Sequence, residues 1–284
     1  MTGLKARGDR FFRRGVIWAG DLRRWASWHT GGARFFHRYG PTLAQAYRWC
    51  FIAGCNNSGT TLLQDLLVEL EGVVTLPHEG QRYTRALRRA SFRGHERVWT
   101  EKLTAVRMNA ECDPARVARL LHDWHGALDA VPGSMVVEKS TTNAVRMRWL
   151  QAAFPGSRFV GLVRNGYAVT EGIKRKGHKS VERAARHWRA VNEIMLLDAE
   201  EIQEFLLLRY EDLVSGEAQA LGRLAAFLGI QEEELTGAFA RLGHRWGEIS
   251  DRNAASIDAL SSAERTRIEE IAGPTLRRFS YDQP

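Results

Sequence analysis

Cysteine is scarce in this chain. Cys50, Cys55 and Cys112 are its only three in 284 residues, widely spaced and odd in number. No CxxC pair or Cys/His ligand spacing occurs, so neither a disulfide framework nor a zinc site is indicated, and a reducing compartment fits best. Lysine is scarce too. Lys5, Lys102, Lys139, Lys174, Lys176 and Lys179 are the whole set, so arginine supplies most of the formal net charge of +8. No apolar run approaches the roughly 20 residues needed to span a bilayer. The N-terminus is basic, but the apolar stretch Gly15 to Gly20 is soon broken by Asp21, Arg23 and Arg24, which is not a signal-peptide core. The expectation is a cytoplasmic protein. No Gly/Ser/Pro-rich linker, repeat or low-complexity tract is present. The simplest division is a domain at 49–284 preceded by a basic, aromatic-rich extension at 1–48.

What is present begins with ordinary bulk. A hydrophobic content of 44% is typical of globular proteins, and a chain this long buries a core without staples. The net charge draws anions in general: nucleotides, acidic or sulfated sugars, nucleic acid, anionic lipid. No nucleic-acid reader motif is recognised, so nucleic acid is not expected as a partner. In the extension, Trp18, Leu22 and Trp25 fall at i, i+4, i+7, which suits a helix with one apolar face. Three readings stand for it: a helix packed on the main domain, a basic segment in peripheral contact with a membrane surface, or a partner-binding or loosely ordered segment.

From residue 49 the pattern is α/β. Short apolar runs at 49–53, 134–138, 158–163 and 205–208 read as strands. Helices are expected at 60–70, 143–154, 181–200, 216–228 and 262–273, and 80–130 is expected to be mostly helical or irregular. Strands alternating with helices imply a P-loop-type parallel sheet flanked by helices on both faces, one domain with an N-terminal helical extension.

The chemistry starts at Gly54-Cys55-Asn56-Asn57-Ser58-Gly59-Thr60-Thr61. Strand, Gly-rich turn, helix is an arrangement that binds phosphate, because unpaired backbone N–H groups and the helix dipole both face the anion. The spacing fits the nucleoside-triphosphate P-loop except that Thr60 stands where that loop has Lys, the residue that reaches the β- and γ-phosphates. A triphosphatase also presents an Asp for Mg²⁺ beyond another apolar strand. Here the strand at 158–163 ends in Arg164. A cation in that place suits a phosphate site without metal.

Four segments then carry a resemblance. FIAGCNNSGTTLL (Phe51 to Leu63) is similar to the 5′-phosphosulfate loop of the sulfotransferase superfamily that uses 3′-phosphoadenosine 5′-phosphosulfate (PAPS). FVGLVRNGYAVTEGIKRK (Phe159 to Lys176) resembles its 3′-phosphate motif. Glu138-Lys139-Ser140 resembles its EK-[ST] strand end, and Arg209 to Val214 with Phe227-Leu228-Gly229 resembles its YEDL…FLG segment. The likeness is nearest to the bacterial, carbohydrate or tyrosylprotein type of branch. It implies transfer of a sulfuryl group from PAPS to a hydroxyl or amine, leaving PAP, with no metal. The donor would lie on Asn56, Asn57, Ser58, Gly59, Thr60, Thr61, Arg164 and Gly172. Two positions depart from the pattern. Relatives often carry Arg or Lys at the position of Asn57, and Ser at the position of Gly172.

Sulfuryl transfer needs a base, donors for developing charge, and in-line placement. By resemblance the base is Glu79 and the charge stabiliser Lys139. The alternatives are a surface glutamate in a turn, with His78 as base or assistant, and an ion pair of Lys139 with Glu138 or another carboxylate. Lys174, Arg175 and Lys176 read either as a solvated face or as a border of the donor or an acidic acceptor. Tyr210, Glu211 and Asp212 read as a structural corner, and Ser250, Arg252 and Asn253 lie where relatives close a loop over the donor. The Arg and His content of 80–130 hints at an anionic acceptor such as a polysaccharide. Two rival functions remain: a non-catalytic nucleotide-binding relative and an atypical P-loop kinase.

Overall fold

Each central strand carries an apolar run, and the structure, a computed structural model that describes residues 22–247 and 249–281, explains why. In β1 (Arg48–Gly54), Trp49, Phe51 and Ala53 enter one hydrophobic core while Cys50 and Ile52 enter another. Successive side chains point to opposite faces, so a strand covered on both sides shows a continuous apolar run rather than an alternation. β1 lies at the centre of a five-stranded sheet with β2 (Val73–Thr75), β3 (Met135–Lys139), β4 (Arg158–Val163) and β5 (Phe205–Arg209). The order is β2-β3-β1-β4-β5, and all four pairings are parallel. β2 was not expected. At three residues it is too short for its own sequence signal, and pairing with β3 makes it a strand.

Helices cover both faces. One layer contains α1 (Ala33–Gln45), α3 (Pro114–His125), α5 (Gly166–Gly177), α6 (Val181–Ala199) and α9 (Ser262–Arg278). The other contains α2 (Thr60–Leu67), α7 (Ala218–Leu228) and α8 (Glu232–Trp246). α8 is a second unexpected element. Leu235, Ala238 and Leu242 bury its inner face. The helix expected at 143–154 is divided: a 3₁₀ turn Thr141–Val145, a break at Arg146, then α4 (Met147–Ala153). The break lets the wholly buried Arg146 donate to the Arg88 carbonyl.

Within the extension, Trp18 lies outside the described residues. Residues 22–27 are helical, and α1 packs on α3 with Phe36 and Gly40 buried. Its outer side keeps Phe35 and Tyr39 exposed, as are Leu22 and Trp25. No helix among the described residues is long and apolar enough to cross a membrane.

Candidate active site

In a parallel sheet of this kind ligands sit beyond the carboxyl ends of the strands, where the strand order reverses. Here the order reverses at β1, and the three central strands end together. Ile52 of β1 is opposite Lys139 of β3, and Gly54 of β1 is opposite Leu162 of β4. The turn leaving β1 therefore has Lys139 on one side and Arg164 on the other. A cleft of about 420 Å³ opens at this edge, within the size range of small-molecule sites.

The turn is built by local rules. Ser58 donates from both its backbone N–H and its hydroxyl to the Cys55 carbonyl, at 3.2 and 2.7 Å. Gly59 has φ +93°, and a Cβ there would lie 2.6 Å from the Tyr210 ring, so the position takes only glycine. α2 follows without a side-chain cap and without an acid in its first turn. Its leading N–H groups are thus left for a ligand. Thr60, Thr61 and Leu62 line the cleft with them.

The sequence-predicted residues divide cleanly. Asn56, Asn57, Gly59, Thr60, Thr61, Glu79, Lys139 and Arg164 all line this one cleft. Ser58 and Gly172 do not. The Ser58 hydroxyl is committed to the turn itself. Gly172 backs Asn57: a Cβ on it would lie 3.2 Å from Asn57 Nδ2. That Nδ2 is buried without a hydrogen-bond partner.

The charges are unbalanced. Five cations line the cleft, Arg97, Lys139, Arg164, Lys176 and Arg252, against one carboxylate, Glu79. Among the described residues, Lys139 alone of the five is paired, its Nζ 3.8 Å from Glu79 Oε1. Arg164 donates to the Asn253 side-chain oxygen at 2.8 Å and the Asn57 carbonyl at 3.0 Å, and its guanidinium lies 4.1 Å from the Tyr210 ring centre. Arg164 is therefore oriented without being neutralised. Burial, then the neighbouring Arg97, holds the Lys176 ammonium below its ordinary range. Such a cluster is relieved by an anion.

Glu79 is held from two directions. Its Oε2 accepts from Gln81 Nε2 at 2.7 Å. The next residue, Gly80, donates its N–H to Glu138 Oε1 at 2.7 Å. Glu138 also accepts from Ser140 Oγ at 2.6 Å and Asn143 Nδ2 at 2.7 Å. It is wholly buried, and burial raises its carboxyl above the usual range. Lys139 thus faces Glu79 rather than Glu138. Replacing Glu138 by Ala is expected to cost about 3–5 kcal/mol of unfolding free energy, because three buried donors and the nearby Arg146 charge lose their counterpart. Urea denaturation measures it; a loss below about 1 kcal/mol contradicts this role.

Several groups were not apparent from the sequence. Asn56 Oδ1 accepts from Trp99 Nε1 at 3.0 Å and from His187 Nε2 at 3.3 Å. Trp99 has only a donor, which fixes the Asn56 amide. His187 Nδ1 then accepts from Thr100 Oγ at 2.7 Å. Burial pushes the His187 imidazole down to about 3, so it is neutral here. The unfolded chain protonates this histidine near 6.5 and the folded chain does not, so stability is complete above that value and falls with acidification. Melting temperature should drop between pH 7 and pH 5, and His187→Gln should flatten that slope; identical slopes count against the assignment. No local signal marks Trp99, His187 or Arg97, which come from loop and helix far along the chain.

Other candidates have duties elsewhere. Lys174 pairs with Glu264, and Arg175 with Glu171. His78 stacks on Tyr83 and is not part of the cleft wall. Glu211 accepts from Asn165 N–H at 3.0 Å, Asn253 Nδ2 at 2.6 Å and Tyr281 OH at 2.6 Å, tying β4, β5 and the C-terminal helices together. Tyr210 has a double place: it starts that corner and its ring lines the cleft. Ser250 and Arg252 line the cleft as well.

Residues 50–234 match the model of a family described as the sulfotransferase family. Among solved structures, the chain is similar to the sulfotransferase domain from the Synechococcus PCC 7002 olefin synthase, at 21% identity and TM-score 0.51, covering 84% of this chain and 96% of that one. It is also similar to sulfotransferase STF1 from Mycobacterium tuberculosis H37Rv, at 14% identity and TM-score 0.55, covering 96% and 87%. Sulfotransferase STF9 from Mycobacterium avium has 14% identity and TM-score 0.53, with 82% and 77% covered. At these identities the likeness is one of fold. Among curated proteins, none matches the chain.

Proposed function

This chain belongs to the sulfotransferase family, and from that premise we propose that it moves the sulfuryl group of PAPS to a hydroxyl or amine of an acceptor. The observation that carries the reading is the charge of the cleft: five cations, four of them unpaired among the described residues, with a single carboxylate beside the fifth. The donor's 5′ end lies on the turn, held by the first N–H groups of α2, the amide of Asn56 and the hydroxyls of Thr60 and Thr61. Arg164 takes the 3′-phosphate. When bound, PAPS supplies the sulfuryl group and leaves as PAP.

Glu79 takes the proton from the acceptor. Its Oε2 is occupied by Gln81, which leaves Oε1 on the side of Lys139. Lys139 opposes negative charge that builds as the bond to the donor breaks. Thr60 in place of the P-loop Lys, and Arg164 in place of a metal-binding carboxylate, support a reaction without Mg²⁺.

The acceptor we infer is an anionic polysaccharide. A second cavity of about 260 Å³ lies on the segment following Glu79. Arg24, Arg85, Arg89 and Arg119 line it with Trp25, Tyr83 and one carboxylate, Asp123, which is paired with Arg119. The exposed Trp25 beside the guanidinium groups of Arg85 and Arg89, a flat apolar face next to donors for carboxylates or sulfates, suits such a ligand. The test is transfer of radiolabel from [³⁵S]PAPS to a panel of acidic and neutral glycans with EDTA present. Label on the acidic glycans agrees with the reading. ATP hydrolysis that requires Mg²⁺, with no transfer, favours a P-loop kinase instead. PAP binding with no transfer to any acceptor favours a non-catalytic relative.

A further inference from the structure

Asn57 leaves the phosphate turn without a charged side chain of its own, yet a cation stands at that point. Arg97 donates from Nη1 to Asn57 Oδ1 at 3.0 Å and lines the same cleft. We propose that Arg97 supplies, from a separate loop, the positive charge that the turn lacks, and that Asn57 serves to hold it there. This rests on the sulfuryl-transfer reading of the cleft.

Four observations support the assignment. First, Arg97 is unneutralised: among the described residues no carboxylate pairs with it, while Arg164 and Lys176 line the same cleft. Second, its backbone is in the left-handed region, with φ +63°. A non-glycine residue there is uncommon and is kept where the surroundings determine it.

Third, those surroundings can be named. Arg97 and Trp99, two residues apart, grip the consecutive turn residues Asn57 and Asn56. The same segment is held from outside by Lys179, which donates to the Gly94 carbonyl at 3.0 Å, and by Arg183, which donates to Gly94 O and to both oxygens of Glu101. The guanidinium is thus placed before any ligand arrives, which is what makes a fixed charge effective in catalysis.

Fourth, Asn57 is shaped for holding rather than for contact. Its own φ is +66°, its Oδ1 is taken by Arg97, and its Nδ2 is buried against Gly172. A side chain at 172 would press on that amide, 3.2 Å from a Cβ. The two departures from the family pattern are therefore one feature. Gly172 makes room for Asn57, and Asn57 receives Arg97.

The experiment compares wild type with Arg97→Gln, Arg97→Lys and the double variant Asn57→Lys/Arg97→Gln. It reads kcat and KM for transfer from PAPS, PAP affinity by calorimetry, the melting shift caused by inorganic pyrophosphate, and the melting temperature alone. Arg97→Gln removes the charge and leaves a shorter, neutral side-chain amide. It should lower kcat about 100-fold, with a smaller loss of PAP affinity and no change in melting temperature. Arg97→Lys should recover part of the loss. The double variant, with the cation returned to the turn, should recover more than Arg97→Gln retains. An Arg97→Gln protein with wild-type kcat and PAP affinity overturns the inference and leaves the sulfotransferase reading standing. If wild type binds PAP poorly and transfers nothing, that reading falls, and pyrophosphate decides the site: equal stabilisation of wild type and Arg97→Gln overturns the Arg97 assignment too.

Discussion

Exchange of Glu79 for glutamine is expected to lower turnover about 10²- to 10⁴-fold, the range spanned by a positioned general base. PAP affinity should be nearly unchanged. The separation follows from where Glu79 stands. It lies across the cleft edge from the turn, on the strand-end side occupied by Lys139, and Arg164 is on the other side. Glutamine preserves the size of the side chain and its contact with Gln81, so the loss belongs to proton transfer and not to a collapsed wall. Single-turnover rates with PAPS and an acidic glycan, beside PAP calorimetry, measure both halves. Turnover within a few-fold of wild type removes Glu79 as the base. A parallel loss of PAP affinity makes it a structural residue of the donor site.

Lys139→Met is expected to lower kcat about 10²- to 10³-fold, as removal of one preorganised charge from a site of developing negative charge does. Methionine keeps most of the stem, which matters because Lys139 closes β3 next to β1. Lys139→Arg should restore part of the rate. The pair Glu79 and Lys139 are close enough to be coupled, with 3.8 Å between them. The double variant Glu79→Gln/Lys139→Met separates two accounts. If Lys139 acts on the departing group, the double variant is slower than Glu79→Gln. If it acts only through Glu79, the double variant is no slower, and its direct role is withdrawn.

What the sequence made legible was what is local. The turn Gly54 to Thr61 can be read because strand, glycines and helix start are contiguous, and so can the cation closing β4. The central strands can be read because burial on both faces leaves unbroken apolar runs. β2 could not be read, since three residues carry no periodicity and its identity comes from β3. α8 was missed because Leu235, Ala238 and Leu242 make a narrow stripe behind an acidic start.

The site shows the same division. Glu79 and Lys139 were named separately, and only folding places them side by side. Ser58 looked like a ligand because its hydroxyl belongs to a phosphate turn, yet that hydroxyl closes the turn on Cys55. Asn57 and Gly172 depart from the pattern at two separate places in the sequence. In space they are neighbours, and the missing charge stands at Arg97, forty residues away in sequence. Glu138 precedes Lys139 in sequence, yet its contacts fix the backbone beside Glu79.

The central claim is that this cleft holds a phosphosulfate donor, and calorimetric titration of the protein with PAP tests it most directly. The account predicts one site of submillimolar affinity that weakens as salt is raised and is lost in Arg164→Ala. Absence of binding at millimolar PAP, or binding indifferent to Arg164→Ala, would contradict it.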